Sequence, residues 1–226
     1  MNKYNSRIII ACDLDSKQEV LTLINKLEGK KLFLKLGMQI LYKEGFSFIK
    51  EIKEMGHNIF IDLKVHDIPN TAKNAVKSLL QYKPDFLTIH ASGGAEMMNE
   101  ISKVVKGTET KVLAVTVLTS LNQEAIGQMN IQTPVEKQVE TLIKLAKDNG
   151  IDHIVCSASE AHLVKKHNLT SITPGIRLAT NSNDDQKRVV TPKDAFSNGS
   201  DFIVVGRTIT QSNDPLKVYE QIESEQ

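Results

Sequence analysis

The sequence predicts a (β/α)8 TIM barrel, an α/β fold with a parallel eight-stranded sheet, and three observations support this fold class. Short apolar runs alternate with longer stretches of helical periodicity along the chain. Strict alternation indicates a parallel sheet, because parallel strands need crossover helices between them. The length of 226 residues gives eight units of roughly 28 residues each, close to the minimum for a strand, a helix and their loops. We therefore expect one barrel domain over residues 1–226.

The elements follow in order along the chain. The predicted strands are Arg7–Cys12, Leu32–Leu36, Asn58–Leu63, Phe86–His90, Val112–Val117, His153–Cys156, Ser171–Thr173 and Phe202–Val205. Apolar residues at three- or four-residue spacing predict helices between them, most clearly over Val135–Asn149, which stops before Gly150. Four helical patterns begin near a proline, where a missing N–H is tolerated, at Pro69, Pro134, Pro192 and Pro215.

A doubly wound open sheet is the alternative architecture. It would be favoured by a G-x-G-x-x-G turn after the first strand, where a dinucleotide phosphate binds. Here the first strand ends in Cys12-Asp13-Leu14-Asp15, which contains no glycine. The sequence therefore favours the closed barrel.

Composition excludes several classes of protein. The chain has 28 Lys and Arg against 27 Asp and Glu, so it lacks the positive excess of a nucleic-acid binder. A hydrophobic fraction of 40% argues against a disordered chain. No segment reaches membrane length without a charge. Cys12 and Cys156 each lie in an apolar run, which predicts two buried thiols rather than a disulfide. Free thiols in turn indicate a cytoplasmic setting.

Charged residues interrupt two of the apolar strands. Lys35 lies inside the second strand, and an ammonium there needs a carboxylate partner. Asp62 and Lys64 are two residues apart on the third strand, so they are expected to point to the same side. Asp67 could complete an alternating array of lysines and aspartates, or it could cap the helix that starts at Pro69. Charges packed in this way are typical of sites that transfer protons.

Residues suited to binding a phosphate follow the last two predicted strands. Gly206 and Arg207 come directly after the eighth strand, and Arg177 begins the loop after the seventh. Barrel enzymes often bind phosphate at this position, and arginine can hold phosphate oxygens with two hydrogen bonds. The polar loop over residues 177–190 is long enough to act as a lid. Thr119 and Ser120, after the fifth strand, could contact an amide-like ring edge.

A metal site is the alternative use of the strand ends. Asp13, Asp62, His66 and His90 could meet there, because the ends of barrel strands converge. This site is less favoured than the charged array, because the two strand lysines would place positive charge where a metal would bind.

The segment Asp62–Thr71, which reads DLKVHDIPNT, resembles the signature of the orotidine 5′-phosphate decarboxylase family in its bacterial, single-domain form. Further segments stand in the family's order: Asp13, Lys35, His90–Gly94, Val117–Ser120, Thr173–Arg177 and Val205–Arg207. Gln186 follows Arg177 at a family-like position. Cys12 stands where a leucine is expected, at a position that carries no chemistry.

The resemblance implies a homodimer that decarboxylates orotidine 5′-phosphate to UMP and CO2 without a metal or an organic cofactor. It implies a charged tetrad of Lys35, Asp62, Lys64 and Asp67 with Lys64 as the proton donor. Asp62 would orient Lys64 and lie against the substrate carboxylate. Asp67 would reach the neighbouring subunit's site together with Ile68 and Thr71.

The resemblance also assigns residues to the rest of the substrate. Asp13 and Lys35 would bind ribose hydroxyls, and Thr119 and Ser120 would face the pyrimidine. The phosphate end would be bound by Arg177, Gln186, Gly206 and Arg207.

Two alternative functions remain open at this point. Mg²⁺-dependent sugar-phosphate decarboxylases and aldolases of the same barrel suprafamily share an Asp-x-Lys-x-x-Asp segment, but the continuation His-Asp-Ile-Pro-Asn-Thr and the Thr119-Ser120 pair favour the nucleotide enzyme. A non-catalytic nucleotide-phosphate binder is the other alternative, and it has no evident need for the charged array.

Overall fold

The computed structural model of the chain describes residues 4, 6–178 and 190–226. Within these residues the strands form one closed parallel barrel in which each strand pairs with its neighbours in sequence and the last pairs with the first. The (β/α)8 fold is therefore confirmed, and the open doubly wound sheet is wrong. The strands are β1 (Ile8–Ala11), β2 (Phe33–Gly37), β3 (Asn58–Val65), β4 (Phe86–His90), β5 (Lys111–Val115), β6 (His153–Val155), β7 (Thr170–Thr173) and β8 (Phe202–Val205).

The helices alternate with the strands, and several of them start at a local sequence signal. Ser16 accepts a hydrogen bond from the backbone N–H of Glu19 in the first turn of α1, which is a typical N-cap. Proline occupies the first position of α4, α9 and α11. The helices are α1 (Lys17–Lys26), α2 (Met38–Glu44), α3 (Ser47–Glu54), α4 (Pro69–Leu79), α5 (Gly94–Val105), α6 (Gln123–Gln128), α7 (Val135–Asp148), α8 (Ala161–Lys166), α9 (Pro192–Ser197), α10 (Arg207–Thr210) and α11 (Pro215–Glu223).

The strand boundaries differ from the predicted ones mainly in β3 and β5. β3 runs two residues further than predicted, to Val65, and β5 ends at Val115 rather than Val117. The extension of β3 contains a break in its pairing with β4. Ile61 pairs with Leu87 and Val65 with Ile89, so four steps along β3 match only two along β4. The sequence pattern gives no sign of this bulge, because it depends on the partner strand.

Aromatic side chains fill the amino-terminal end of the barrel. Phe33, Phe86 and Phe202 each begin a strand and are almost fully buried. The ring of Tyr4 lies 5.1 Å from that of Phe33 and 5.3 Å from that of Phe86, between centroids. Because this end is packed, an internal cavity can open only toward the carboxyl ends of the strands.

Two further sequence predictions concern the cysteines and membrane segments. Cys12 and Cys156 are free and buried, as predicted. Burial raises the pKa of the Cys12 thiol to about 12, so this thiol is inert packing rather than a nucleophile. No helix among the described residues is both long and apolar enough to cross a membrane.

Candidate active site

A cavity of about 580 Å³ opens at the carboxyl ends of the strands. This volume lies within the range of sites that bind small molecules. The walls include residues predicted from the sequence, contributed by separate strand ends: Asp13, Lys35, Asp62, Lys64, Thr119, Arg177, Gly206 and Arg207. Ser120 is exposed beside Thr119 rather than part of the wall.

The centre of this cavity is a chain of ion pairs around Asp62. The Nζ atom of Lys64 lies 2.9 Å and 3.0 Å from the two carboxylate oxygens of Asp62. The Nζ atom of Lys35 lies 3.3 Å from Oδ2 of Asp62 and 3.1 Å from Oδ1 of Asp13. The side chains of Lys35 and Asp62 are only 11% and 10% exposed, so water screens their interaction weakly. The structure thus brings together the two lysines and Asp62 that the sequence singled out.

The ion pairs keep both buried groups charged. Burial alone would raise the pKa of Asp62, but the ammonium groups of Lys35 and Lys64 outweigh burial and hold that pKa below its usual value. Burial would lower the pKa of Lys35, but Asp62 and Asp13 outweigh it and raise that pKa. At neutral pH the cavity therefore presents fixed charges that are already paired with each other.

The contact of Lys64 with Asp62 depends on an irregular backbone in β3 and not on strand alternation. Lys64 has a backbone φ of 49°, in the left-handed region that β-strand residues do not occupy. It lies in the bulge of β3, where the ladder with β4 is interrupted. The prediction that Asp62 and Lys64 point to the same side is met, since both line the cavity, but the regular strand alternation on which it rested is absent at Lys64.

Thr88 is the residue that sequence analysis missed. Its hydroxyl lies 2.8 Å from Oδ1 of Asp62, to which it donates, and it accepts from the backbone N–H of Lys64 at 2.9 Å. Thr88 is buried in β4 with 1% of its surface exposed. The only signal in the sequence is one hydroxyl within the apolar run Phe86–Ile89.

Asp67 does not join the array of its own chain. It is exposed, and its carboxylate accepts a hydrogen bond from the backbone N–H of Ile68 at 2.7 Å. Ile68, rather than Asp67, occupies the N-cap of α4, and no side chain caps this helix, so the capping alternative is wrong. Ile68 is 68% exposed and Thr71 is exposed, and neither lines the cavity. All three residues are therefore exposed and lie outside the cavity lining of their own chain.

The predicted phosphate end is partly described. Arg177 is buried, with 8% of its surface exposed, and Arg207 is exposed at the rim; both line the cavity. Gly206 joins β8 to α10 and lies on the same wall. Gln186 and most of the predicted lid over residues 177–190 lie outside the described residues.

The alternative metal site is not assembled. The rings of His66 and His90 lie 5.3 Å apart, between centroids, but no cluster of three or more His, Cys, Asp or Glu side chains suited to a metal occurs in the part of the chain that the structure describes. Burial, with His66 and Lys64 nearby, lowers the pKa of His90. Asp13 and Asp62, which the metal site would need, are instead occupied by lysine ammonium groups.

Comparison with known proteins decides the family of this barrel. Residues 6–222 match the family model described as orotidine 5′-phosphate decarboxylase / HUMPS family. The chain belongs to this family. The resemblance inferred from the DLKVHDIPNT segment is therefore confirmed over nearly the whole chain.

Individual relatives agree with the family assignment. The chain is 43% identical over 223 residues to an orotidine 5′-phosphate decarboxylase of Fusobacterium nucleatum, covering 96% of this chain and 94% of that protein. It is 44% identical over 220 residues to one of Staphylococcus aureus, covering 95% of each chain. The crystal structure of orotidine 5′-phosphate decarboxylase from Lactobacillus acidophilus superposes with a TM-score of 0.85 at 37% identity, covering 96% of this chain and 97% of that one.

Proposed function

We propose that this chain decarboxylates orotidine 5′-phosphate to UMP and CO2, the last step of de novo UMP synthesis, without a metal or organic cofactor. The observation that carries the proposal is the Lys64 ammonium held on the buried Asp62 carboxylate inside the cavity. The names of relatives that are 43% and 44% identical over nearly the full length support the same substrate.

The chemistry accounts for the charged array. Loss of CO2 from ring carbon C6 leaves a carbanion whose lone pair lies in the plane of the ring, so the π system cannot delocalise it. A cation that is fixed beforehand stabilises this charge, and an ammonium can also deliver the proton. Lys64 would do both, and Asp62 would hold its ammonium in place through two short contacts. Lys35, held between Asp62 and Asp13, completes the fixed charges beside the reacting ring.

The other cavity residues would bind the parts of the substrate that do not react. Asp13 and Lys35 would bind ribose hydroxyls, and Thr119 with Ser120 would contact the pyrimidine edge. The phosphate would be bound by Arg177, Gln186, Gly206 and Arg207. Binding energy from the remote phosphate can fix the ring in the reactive position, so substrates that lack it should lose kcat as well as affinity.

A second copy of the chain would complete the site. Asp67, Ile68 and Thr71 lie outside the cavity of their own chain and are exposed, as residues that serve a neighbouring subunit would be. We therefore infer a homodimer with shared active sites, acting in the cytoplasm on a small nucleotide and not on nucleic acid or membrane.

The proposal is tested with Lys64→Ala and a matched control, Lys53→Ala. Both ammonium groups contact a buried aspartate and both side chains are 29% exposed, but Lys53 contacts Asp85, which precedes β4 at the other end of the barrel. We expect Lys64→Ala to lower kcat by about 10⁴-fold or more, because a positioned proton donor and a fixed charge each contribute on the order of 10²-fold or more. Lys53→Ala should keep wild-type kcat. The assay monitors decarboxylation as a decrease in the absorbance of the orotate ring.

The outcomes separate the alternatives. Wild-type protein that turns over orotidine 5′-phosphate in excess EDTA supports the proposal, and turnover that requires Mg²⁺ supports the sugar-phosphate type of chemistry. Binding of the nucleotide with no turnover points to the non-catalytic binder. A Lys64→Ala variant with near-wild-type kcat removes Lys64 from the role of proton donor.

Site sharing is tested by mixing inactive Lys64→Ala and Asp67→Ala proteins. Random exchange makes half of the dimers hybrid, and each hybrid has one intact site if Asp67 serves the partner, so recovery of about a quarter of wild-type activity is expected. If Asp67 serves its own chain, no hybrid site is intact and no activity returns.

A further inference from the structure

One buried hydroxyl connects the two central residues of the charged array. Thr88 lies in β4 with 1% of its surface exposed and does not line the cavity. Its Oγ1 lies 2.8 Å from the carboxylate of Asp62 and 2.9 Å from the backbone nitrogen of Lys64. Thr88 thus contacts both partners of the Lys64–Asp62 ion pair without itself lining the cavity.

The direction of these two hydrogen bonds is fixed by chemistry. The N–H of Lys64 can only donate, so the hydroxyl oxygen must accept from it. The ionised carboxylate of Asp62 can only accept, so the hydroxyl proton must point to it. One threonine side chain therefore locks the backbone of one residue and the carboxylate of the other at the same time.

The backbone N–H of Lys64 needs a hydrogen-bond acceptor from outside the regular strand ladder. The φ of 49° at Lys64 is unfavourable for a residue with a side chain, and β3 has no regular pairing with β4 between Ile61 and Val65. The hydroxyl of Thr88 replaces the missing ladder acceptor for this N–H. A backbone conformation of this kind persists where surrounding contacts fix it, and such positions cluster at functional sites.

We propose that Thr88 is a positioning residue, which holds the Lys64 backbone and the Asp62 carboxylate in one hydrogen-bonded unit so that the Lys64 ammonium is delivered into the cavity at a fixed place. This inference rests on the proposed function, in which that ammonium protonates the product carbanion. A small displacement of a reacting group is enough to slow an enzyme strongly.

The test compares Thr88→Val, which keeps the shape and removes the hydroxyl, with Thr88→Ser, which keeps the hydroxyl. Thr116→Val is the matched control, since Thr116 is also buried, at 4% exposure, and its hydroxyl donates to the backbone carbonyl of Val155 rather than to a member of the array. We expect Thr88→Val to lower kcat by about 10- to 100-fold with KM nearly unchanged. Thr88→Ser should restore most of kcat, and Thr116→Val should leave it unchanged.

A second measurement does not depend on activity. In carbon-13 NMR titrations of the free enzyme, the pKa of Asp62 should rise in Thr88→Val, because a hydrogen bond to its charged form is lost, and should return in Thr88→Ser. The amide of Lys64 should exchange faster with solvent in Thr88→Val only.

The two hypotheses fail in distinguishable ways. Wild-type protein without turnover of orotidine 5′-phosphate refutes the proposed function, while the titration and amide exchange still decide whether Thr88 fixes Asp62 and Lys64. A folded Thr88→Val variant with wild-type kcat, or with an unchanged Asp62 titration, overturns the positioning role. Equal losses in Thr88→Val and Thr88→Ser overturn it as well.

Discussion

Neutralising Asp62 should destabilise the fold at neutral pH, and the structure sets the size of the effect. Breaking a buried ion pair by removing one partner costs about 3–5 kcal/mol, because a charge is left buried without compensation. In Asp62→Asn the Lys35 ammonium, which is 11% exposed, keeps only Asp13, whereas Lys64, which is 29% exposed, can turn toward water. The asparagine can still accept from Thr88. We therefore expect the free energy of unfolding to fall by about 3 kcal/mol, the low end of this range. For a domain of this size, that loss corresponds to a Tm lower by roughly 6–12 °C.

The pH dependence gives this prediction its sign. The pKa of Asp62 is lowered in the folded state. The contribution of its ionised form to the free energy of unfolding is therefore fully present above the usual carboxylate pKa of about 4, and it is lost as pH falls through the lower folded pKa. The stability difference between wild type and Asp62→Asn should therefore be constant near neutrality and shrink in acid. Lys35 acts in the opposite sense: its raised pKa contributes stability below the usual lysine pKa, and that contribution is lost as pH rises through the folded value.

Urea unfolding at several pH values measures the difference directly. Asp13→Asn is the control, because Asp13 contacts the same Lys35 but its side chain is 56% exposed, so a loss of about 1 kcal/mol or less is expected. Equal stability of Asp62→Asn and wild type at neutral pH would contradict this prediction. So would a stability difference that grows in acid.

Two further predictions concern one residue at the cavity and one at the opposite end of the barrel. A Cβ atom at Gly37 would lie 3.3 Å from Oδ1 of Asp13 and 3.4 Å from Nζ of Lys35. Gly37→Ala should therefore displace this ion pair and raise KM for orotidine 5′-phosphate, while Tm changes by only a few degrees. An unchanged KM would contradict this prediction. Asp85 accepts hydrogen bonds from Lys53 and from the backbone N–H of Ile59, both at 2.8 Å, so Asp85→Ala should cost about 2–3 kcal/mol of stability and leave kcat unchanged below the unfolding transition. Calorimetry and the absorbance assay together check it, and a kcat that falls with stability retained would contradict it.

The barrel and the kinds of side chain at its rim can be predicted from the amino-acid sequence. Alternation of strands and helices is a local property, readable from periodicity, and parallel pairing follows from it. The lysine within an apolar strand was informative because a buried charge needs a partner, and Asp62 is that partner. The DLKVHDIPNT segment identified the family, since ten ordered residues are specific in a way that any single motif residue is not.

The arrangement of the side chains at the rim depends on contacts between strands. The bulge in β3, the left-handed backbone of Lys64 and the role of Thr88 all depend on how β3 pairs with β4, and closure of the barrel sets that pairing. Asp67 follows Lys64 closely in the chain, yet it is exposed and does not line the cavity of its own chain. Sequence periodicity depends on residues that are close in the chain, whereas these features arise from contacts between strands. The sequence therefore shows which charged residues are available, and the fold determines which of them come into contact.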